Sequence, residues 1–212
     1  MLEVNYLLLT LRTDKPVNLG ASPLSLYIST AYQKEFGNIS QTLSGGGYPL
    51  LQYKVIRGSP LIVAINEGRD LLWKIYKNLD NVNYGDDFAI LEKRIIEKKA
   101  KLGPAEKRLK YRFLTPWLTM TEAELAKYGG ATRIEEALLP VIESNLRGLS
   151  RNFGIPIEQP ISVGFHLRDE HIVQKESGIL GFLGTFYVNY EIPQFLGLGR
   201  GVSRGFGTVK QS

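Results

Sequence analysis

What most narrows the fold of this 212-residue chain is the order in which its hydrophobic period changes along the first 96 residues. Residues 2–12 alternate, with Leu2, Val4, Tyr6, Leu8 and Thr10 on one side, and predict a strand. Ser22 followed by Pro23 has the form of a helix start, and a helix over residues 23–36 follows until Gly37 ends it. Gly45, Gly46 and Gly47 then make a loop before Tyr48. Residues 49–57 and 60–65 are β-rich runs around Gly58-Ser59, a dipeptide that suits a tight hairpin. Leu71, Leu72, Ile75, Tyr76 and Leu79 form the apolar stripe of a second helix over 67–79, and 88–96 reads as a strand. The order β-α-β-β-α-β predicts a ferredoxin-like unit, a four-stranded antiparallel sheet with two helices on one face.

The remaining chain attempts the same order. Residues 109–114 read as a strand, and 132–153 as a long helix with Thr132 as its cap and Glu135 as the capping-box partner. Pro140 predicts a kink or break near Leu139. Residues 161–173 and 179–190 are β-rich, and 206–210 closes as a short strand. Where the second helix of this repeat belongs, the chain offers only the glycine-rich residues 193–205. The expected class is therefore α+β, with two tandem ferredoxin-like domains at 1–103 and 104–212. Their boundary falls near Gly103-Pro104.

Composition removes several kinds of chemistry. With no cysteine, disulfides, thiolate nucleophiles and thiolate-held zinc are excluded, and His166 and His171 are too few for a histidine-rich metal site. The expectation is chemistry without metal or cofactor. Apolar runs such as residues 6–9 and 61–65 are too short to span a bilayer, and no secretory signal pattern opens the chain, so a cytoplasmic, membrane-free protein is expected. Net charge is +5 but uneven: Lys93, Arg94, Lys98, Lys99, Lys101, Lys107, Arg108, Lys110 and Arg112 face only Glu97 and Glu106. Such a run attracts polyanions, or else forms a solvated strand edge.

Residues 197–207, GLGRGVSRGFG, pack five glycines, two arginines and a serine into eleven positions. Consecutive N-H groups there form a concave anion site beside Arg200 and Arg204, or the glycines serve a bulged loop by geometry alone. Both remain open. No Gly-Lys-Ser or Gly-Lys-Thr ends the stretch, and it does not join a strand to a helix, which removes the two common nucleotide-binding loops.

Four segments, YPLLQYK (48–54), INEG (65–68), YRFLTPWL (111–118) and GLGRGVSRGFGTV (197–209), together resemble CRISPR repeat-processing endoribonucleases, closest to their I-B-type branch within the repeat-associated superfamily. The resemblance runs the length of the chain. It implies binding of repeat RNA and metal-independent cleavage of the precursor by the ribose 2′-OH, leaving a cyclic phosphate and a 5′-OH. The role of cradling RNA falls on Gly197, Gly199, Arg200, Ser203, Arg204, Gly205 and Gly207, with Tyr48, Gln52 and Arg57 on or beside the YPLLQYK strand.

The chain departs from that family at one place. Relatives carry a histidine between the first helix and the PLxQYK strand, whereas residues 37–41 here read GNISQ. A placed acid–base group is worth roughly 10² to 10⁴ in rate. Tyr32, Lys34 and Lys54 are the candidate replacements. His166 and His171 flank Arg168-Asp169-Glu170, which reads as a turn that would set them on adjacent strands. The alternatives to an endoribonuclease are a non-catalytic repeat-RNA binder, or effector-complex subunit, and a general single-strand RNA binder. Candidate partners are repeat RNA, other subunits of a CRISPR effector complex, and a second copy of the chain.

Overall fold

In the computed structural model the described residues are 1–18, 20–32, 47–79, 81–84, 86–129, 133–174 and 178–212, without the side chains of 81–84, 86–87 and 168–174. They form two compact units. The first comprises Glu3–Ala100 with Ser203–Gly205, and the second Met1–Leu2, Lys101–Val202 and Phe206–Ser212.

The first unit runs β1 (Leu2–Thr13), α1 (Ala21–Ala31), β2 (Leu51–Ile56), β3 (Ser59–Ile65), α2 (Gly68–Asn78), β4 (Asn81–Tyr84) and the start of β5 (Asp86–Thr121). Its sheet order is β2-β3-β1-β5, the ferredoxin-like arrangement. Leu7, Leu9 and Leu11 on β1 join Ile62 and Ala64 on β3 and the helix residues Leu24, Ile28, Leu71, Leu72 and Ile75 in one core. On β1 the helix core thus takes the odd positions. The even positions Val4, Tyr6 and Leu8 are buried as well. A strand buried on both sides loses the period-two signal that distinguishes them.

Two starts also shift. Helix α1 begins at Ala21 with Gly20 as its N-cap and no side-chain cap bond, so Ser22 and Pro23 lie inside the first turn. The hairpin turn is Arg57-Gly58, both left-handed at φ 51° and 78°, because Ile56 pairs with Ser59. Two positive φ values match the right-handed strand twist of a tight hairpin.

The second unit takes the rest of β5, then α3 (Glu122–Ala126), α4 (Ile134–Asn152), β6 (Val163–Gln174), β7 (Ile179–Glu191) and β8 (Val209–Gln211). Strand β8 pairs with β5, β5 with β7 and β7 with β6, which repeats the order of the first sheet. In place of a second crossover helix the chain has a single short 3-10 turn, Val202–Arg204. Trp117 donates its indole N-H to Asn145 of α4 at 2.9 Å, and Ser150 of α4 shares a 2.6 Å hydrogen bond with the Tyr190 hydroxyl. These fix α4 on the face where Tyr111, Phe113, Trp117 and Phe186 stack.

The strands expected at 88–96 and 109–114 are one strand of 36 residues. Gly103, at φ 126°, lies inside it, and the register shifts between Pro104 and Leu109. Proline is tolerated at such a bulge because the ladder there lacks a donor anyway. Helix α4 also runs unbroken through Pro140. Both Pro140 and Glu136, whose carbonyl loses its helical donor, are exposed, so that carbonyl is not buried without a partner. The N-cap of α4 is Arg133, without a side-chain cap bond; Thr132, the expected cap, lies outside the described residues. Pro140→Ala is accordingly expected to stabilise the protein by about 1–3 kcal/mol, measured as a higher urea midpoint at unchanged slope.

Candidate nucleic-acid interface

The glycine-rich segment is shaped by backbone contact. Gly199, Gly201, Gly205 and Gly207 all have left-handed φ, and a Cβ on Gly207 would fall 1.9 Å from the Leu198 carbonyl oxygen. At Gly199 it would meet the Trp117 indole nitrogen at 2.8 Å. The amides around them are engaged within the protein: Leu198 donates to Gly207 O at 2.9 Å, Phe206 to Gly201 O at 3.2 Å, Gly207 to Pro116 O at 2.8 Å and Thr208 to Thr115 Oγ1 at 2.9 Å. Between the two roles open for these glycines, geometry therefore accounts for Gly199 and Gly207. The groups this segment offers to solvent are the side chains of Arg200, Ser203 and Arg204, all exposed, while Gly197 is buried.

The tip of the segment lodges in the first unit. A Cβ on Gly205 would lie 2.7 Å from Ala21 Cβ at the start of α1, 3.1 Å from Tyr53 O and 3.8 Å from Lys54 Cα. Only glycine permits that approach, and it carries Ser203 and Arg204 onto the edge of β2. On β2 the register sets Lys54 opposite Leu61 and Gln52 opposite Val63. With Tyr6 and Leu8, paired to Ile65 and Val63, they make the sheet face away from the helix core. Both polar residues are fully buried. Gln52 donates to Pro49 O at 3.0 Å. Burial brings the Lys54 ammonium down to about pKa 7, since an ion loses hydration there.

The other expected residues are spread out. Tyr32 is buried at the C-cap of α1, about 16 Å along an eleven-residue helix from the end where Gly205 lodges. Tyr48 is half-buried at the approach to β2. Arg57 is exposed at the hairpin tip, three residues beyond Lys54. Lys34 and the segment 37–41 lie outside the described residues.

Arg57 opens onto a groove of about 540 Å³ within the first unit, lined also by Arg12, Lys15 and Arg94. Glu92 in the same groove is held by both Arg94 and Arg12, whose hydrogen bonds keep its carboxyl below the usual range. Sequence reading passed over Arg12 and Lys15, since only the fold brings the end of β1 beside the hairpin tip.

Part of the basic run is structural. Lys93 donates to the carbonyls of Tyr76 and Leu79 at 2.9 Å each, at the C-terminal end of α2, where a cation also suits the helix dipole. Lys98 lies 5.5 Å from the Tyr6 ring centroid. Lys99, Lys101, Lys107, Lys110 and Arg112 stay exposed. His166 and His171 do not flank a turn. Both belong to β6, with a register shift between Leu167 and His171 absorbing residues 168–170. Among the described residues no cluster of three or more potential metal ligands occurs, and no helix is long and apolar enough to cross a membrane.

Comparison with known proteins follows the same two-part division. The family model described as Cas6b N-terminal domain matches residues 2–101, and that described as Cas6b C-terminal domain matches residues 103–212. A crystal structure of Cas6b is similar at 29% identity and TM-score 0.86 over 100% of both chains. A structure of the CRISPR RNA processing endoribonuclease Cas6b is 28% identical with TM-score 0.75, again over 100% of both. An uncharacterized protein of Methanocaldococcus jannaschii is 29% identical over 140 residues, 64% of this chain and 95% of that one. The fold alone is shared with a CRISPR associated protein Cas6, at 14% identity and TM-score 0.60 over 99% of both chains.

Two outcomes follow from these contacts. Gly207→Ala is expected to destabilise the protein by at least about 2 kcal/mol, because it combines a left-handed φ with overlap on a carbonyl oxygen; chemical denaturation measures it. For Lys54 the sign runs with pH: between about 7 and the 10.5 of a free ammonium, the unfolded chain holds a proton that the folded chain has released. Wild-type stability should therefore climb with pH across that window, and Lys54→Met should flatten the climb in denaturant midpoints taken at each pH. Above pH 10 buried tyrosines such as Tyr53, whose ionisation burial opposes, pull the other way.

Proposed function

Since this chain belongs to the Cas6b family, matching its two domain models over residues 2–101 and 103–212, we propose that it binds the repeat RNA of a CRISPR transcript and cleaves it with the ribose 2′-OH as nucleophile. The observation that carries this is the lodging of Gly205 on β2, which sets the exposed Ser203 and Arg204 beside the strand that bears Lys54. Attack by an internal hydroxyl on its own phosphate needs a base for the 2′-O-H, an acid for the departing 5′-oxygen and cations for the charge that builds on phosphorus. No metal is required for it.

Within the first unit Arg204 supplies charge to the RNA backbone and Arg57 extends the path along β2; in the second unit Arg200 offers a further backbone cation. Tyr48 lies at the near end of that strand. Gln52 holds the strand entry by its bond to Pro49 O. For proton transfer we favour Lys54 over Tyr32 and Lys34, because its proton equilibrium sits near neutrality. Its ammonium is fully buried. That burial favours a second reading, a repeat-RNA binder or effector-complex subunit that does not cut. Substrate of this kind places the protein in the cytoplasm, with other effector subunits or a second copy as further partners.

The deciding experiment incubates end-labelled repeat RNA with the protein in EDTA, beside RNA carrying a 2′-deoxyribose at the scissile position. Cleavage to a cyclic phosphate end, blocked by the deoxy substitution, supports the enzyme. Intact but bound RNA at high protein leaves the second reading, and absence of binding removes both. Lys54→Met should slow single-turnover cleavage by about 10²-fold or more at nearly constant affinity. Arg204→Ala should weaken binding and lower the slope of log affinity against log salt by about one.

A further inference from the structure

The open face of the second unit's sheet bears none of the residues assigned to RNA above. Along β7, Phe186, Val188 and Tyr190 are buried on the α4 side, and Thr185, Tyr187 and Asn189 alternate onto the other. The register extends this face over four strands. One row is Lys210, Arg112, Thr185 and His166, and the next contains Lys110, Tyr187 and Gly164. Neither row contains a carboxylate. Lys110, Arg112, His166 and Lys210 are exposed.

Tyr187 is 37% exposed, with Lys110 Nζ 5.7 Å from its ring centroid. Its cross-strand neighbour on β6 is Gly164, where an added Cβ would meet only Arg108 Nη1, at 3.9 Å. An aromatic ring thus stands beside a vacant position, with guanidinium at the rim. A flat ring could lie there against Tyr187. Lys110 and Arg112, two residues apart on β5, project from the same face about 7 Å from each other, a spacing suited to successive phosphates of an extended strand.

We propose that this face binds a single-stranded segment of RNA, one base stacked on Tyr187 and the flanking phosphates on Lys110, Arg112 and Lys210. Antiparallel sheets with exposed aromatics receive unstacked bases in this way, and every base has a face to stack. Charge selects the occupant: two carboxylate-free rows with three fixed cations fit a polyanion. This rests on the RNA reading given above. It adds a second contact region that holds an unpaired part of the transcript.

The test uses the full chain with two probes, the repeat RNA and an unstructured eight-nucleotide oligouridine, by fluorescence anisotropy across a salt series. Tyr187→Ala should weaken oligouridine binding about 5- to 100-fold, and Tyr187→Phe should restore it, since stacking needs the ring and not the hydroxyl. Lys110→Ala and Arg112→Ala should each lower the salt slope by about one. Photocrosslinking of 4-thiouridine RNA should place an adduct on Tyr187. All these side chains are exposed, and unchanged thermal melts verify that the variants fold. The proposal is overturned if repeat RNA binds while oligouridine does not, or if both bind and the Tyr187 and Arg112 variants match wild type. If wild type binds neither probe, the RNA reading itself falls, and this inference with it.

Discussion

Close backbone approach at glycine governs the last part of this chain. Where a Cβ on Gly207 would stand 1.9 Å from the Leu198 carbonyl oxygen, no other residue lets the two segments meet. That meeting returns the chain so that Val209–Gln211 can pair with β5 as the fourth strand of the second sheet. It also turns out a loop whose tip, through Gly205, reaches β2 in the first unit. Arg200 and Arg204 of the loop are exposed, while the amides of Leu198, Phe206, Gly207 and Thr208 at its base donate within the protein.

A second constraint is the 36-residue strand β5. It is the last strand of one four-stranded order and the first of the next, so the two ferredoxin-like units share a backbone segment where a linker would be expected. Bulges near Pro104 and Phe113 let so long a strand change its pairing along its length. Its cations divide accordingly. Lys93 and Lys98 are absorbed by a helix terminus and an aromatic ring, and Lys110 and Arg112 are left on an open sheet face.

Lys54 sets stability against chemistry. A fully buried lysine opposite Leu61 loses its hydration, and the fold bears that penalty at neutral pH. Functional sites are where such shifts of a proton equilibrium toward 7 cluster. In sequence it looks like an ordinary solvated hairpin cation. Nothing in the alternation of YPLLQYK reveals it, because β2 is buried on both faces.

Much of the architecture is written in local chemistry. The β-α-β-β-α-β order, the apolar stripe of Leu71, Leu72 and Ile75, and the replacement of the last crossover helix by a glycine-rich stretch follow from period and turn residues, which act over a few positions. Element ends slipped by one or two residues at Gly20 and Arg57, where a neighbouring backbone decides. Only the tertiary structure settled which face of β1 meets the helices, that Pro140 rides inside an unbroken helix, and that β5 does not stop at Gly103. Burial and pairing are properties of partners distant in sequence, and the same holds for the interface. The residues of the glycine-rich loop are legible as a motif, but the engaged amides, the shielded ammonium and the cross-strand row of Lys210, Arg112 and His166 exist only once separated strands are brought into register.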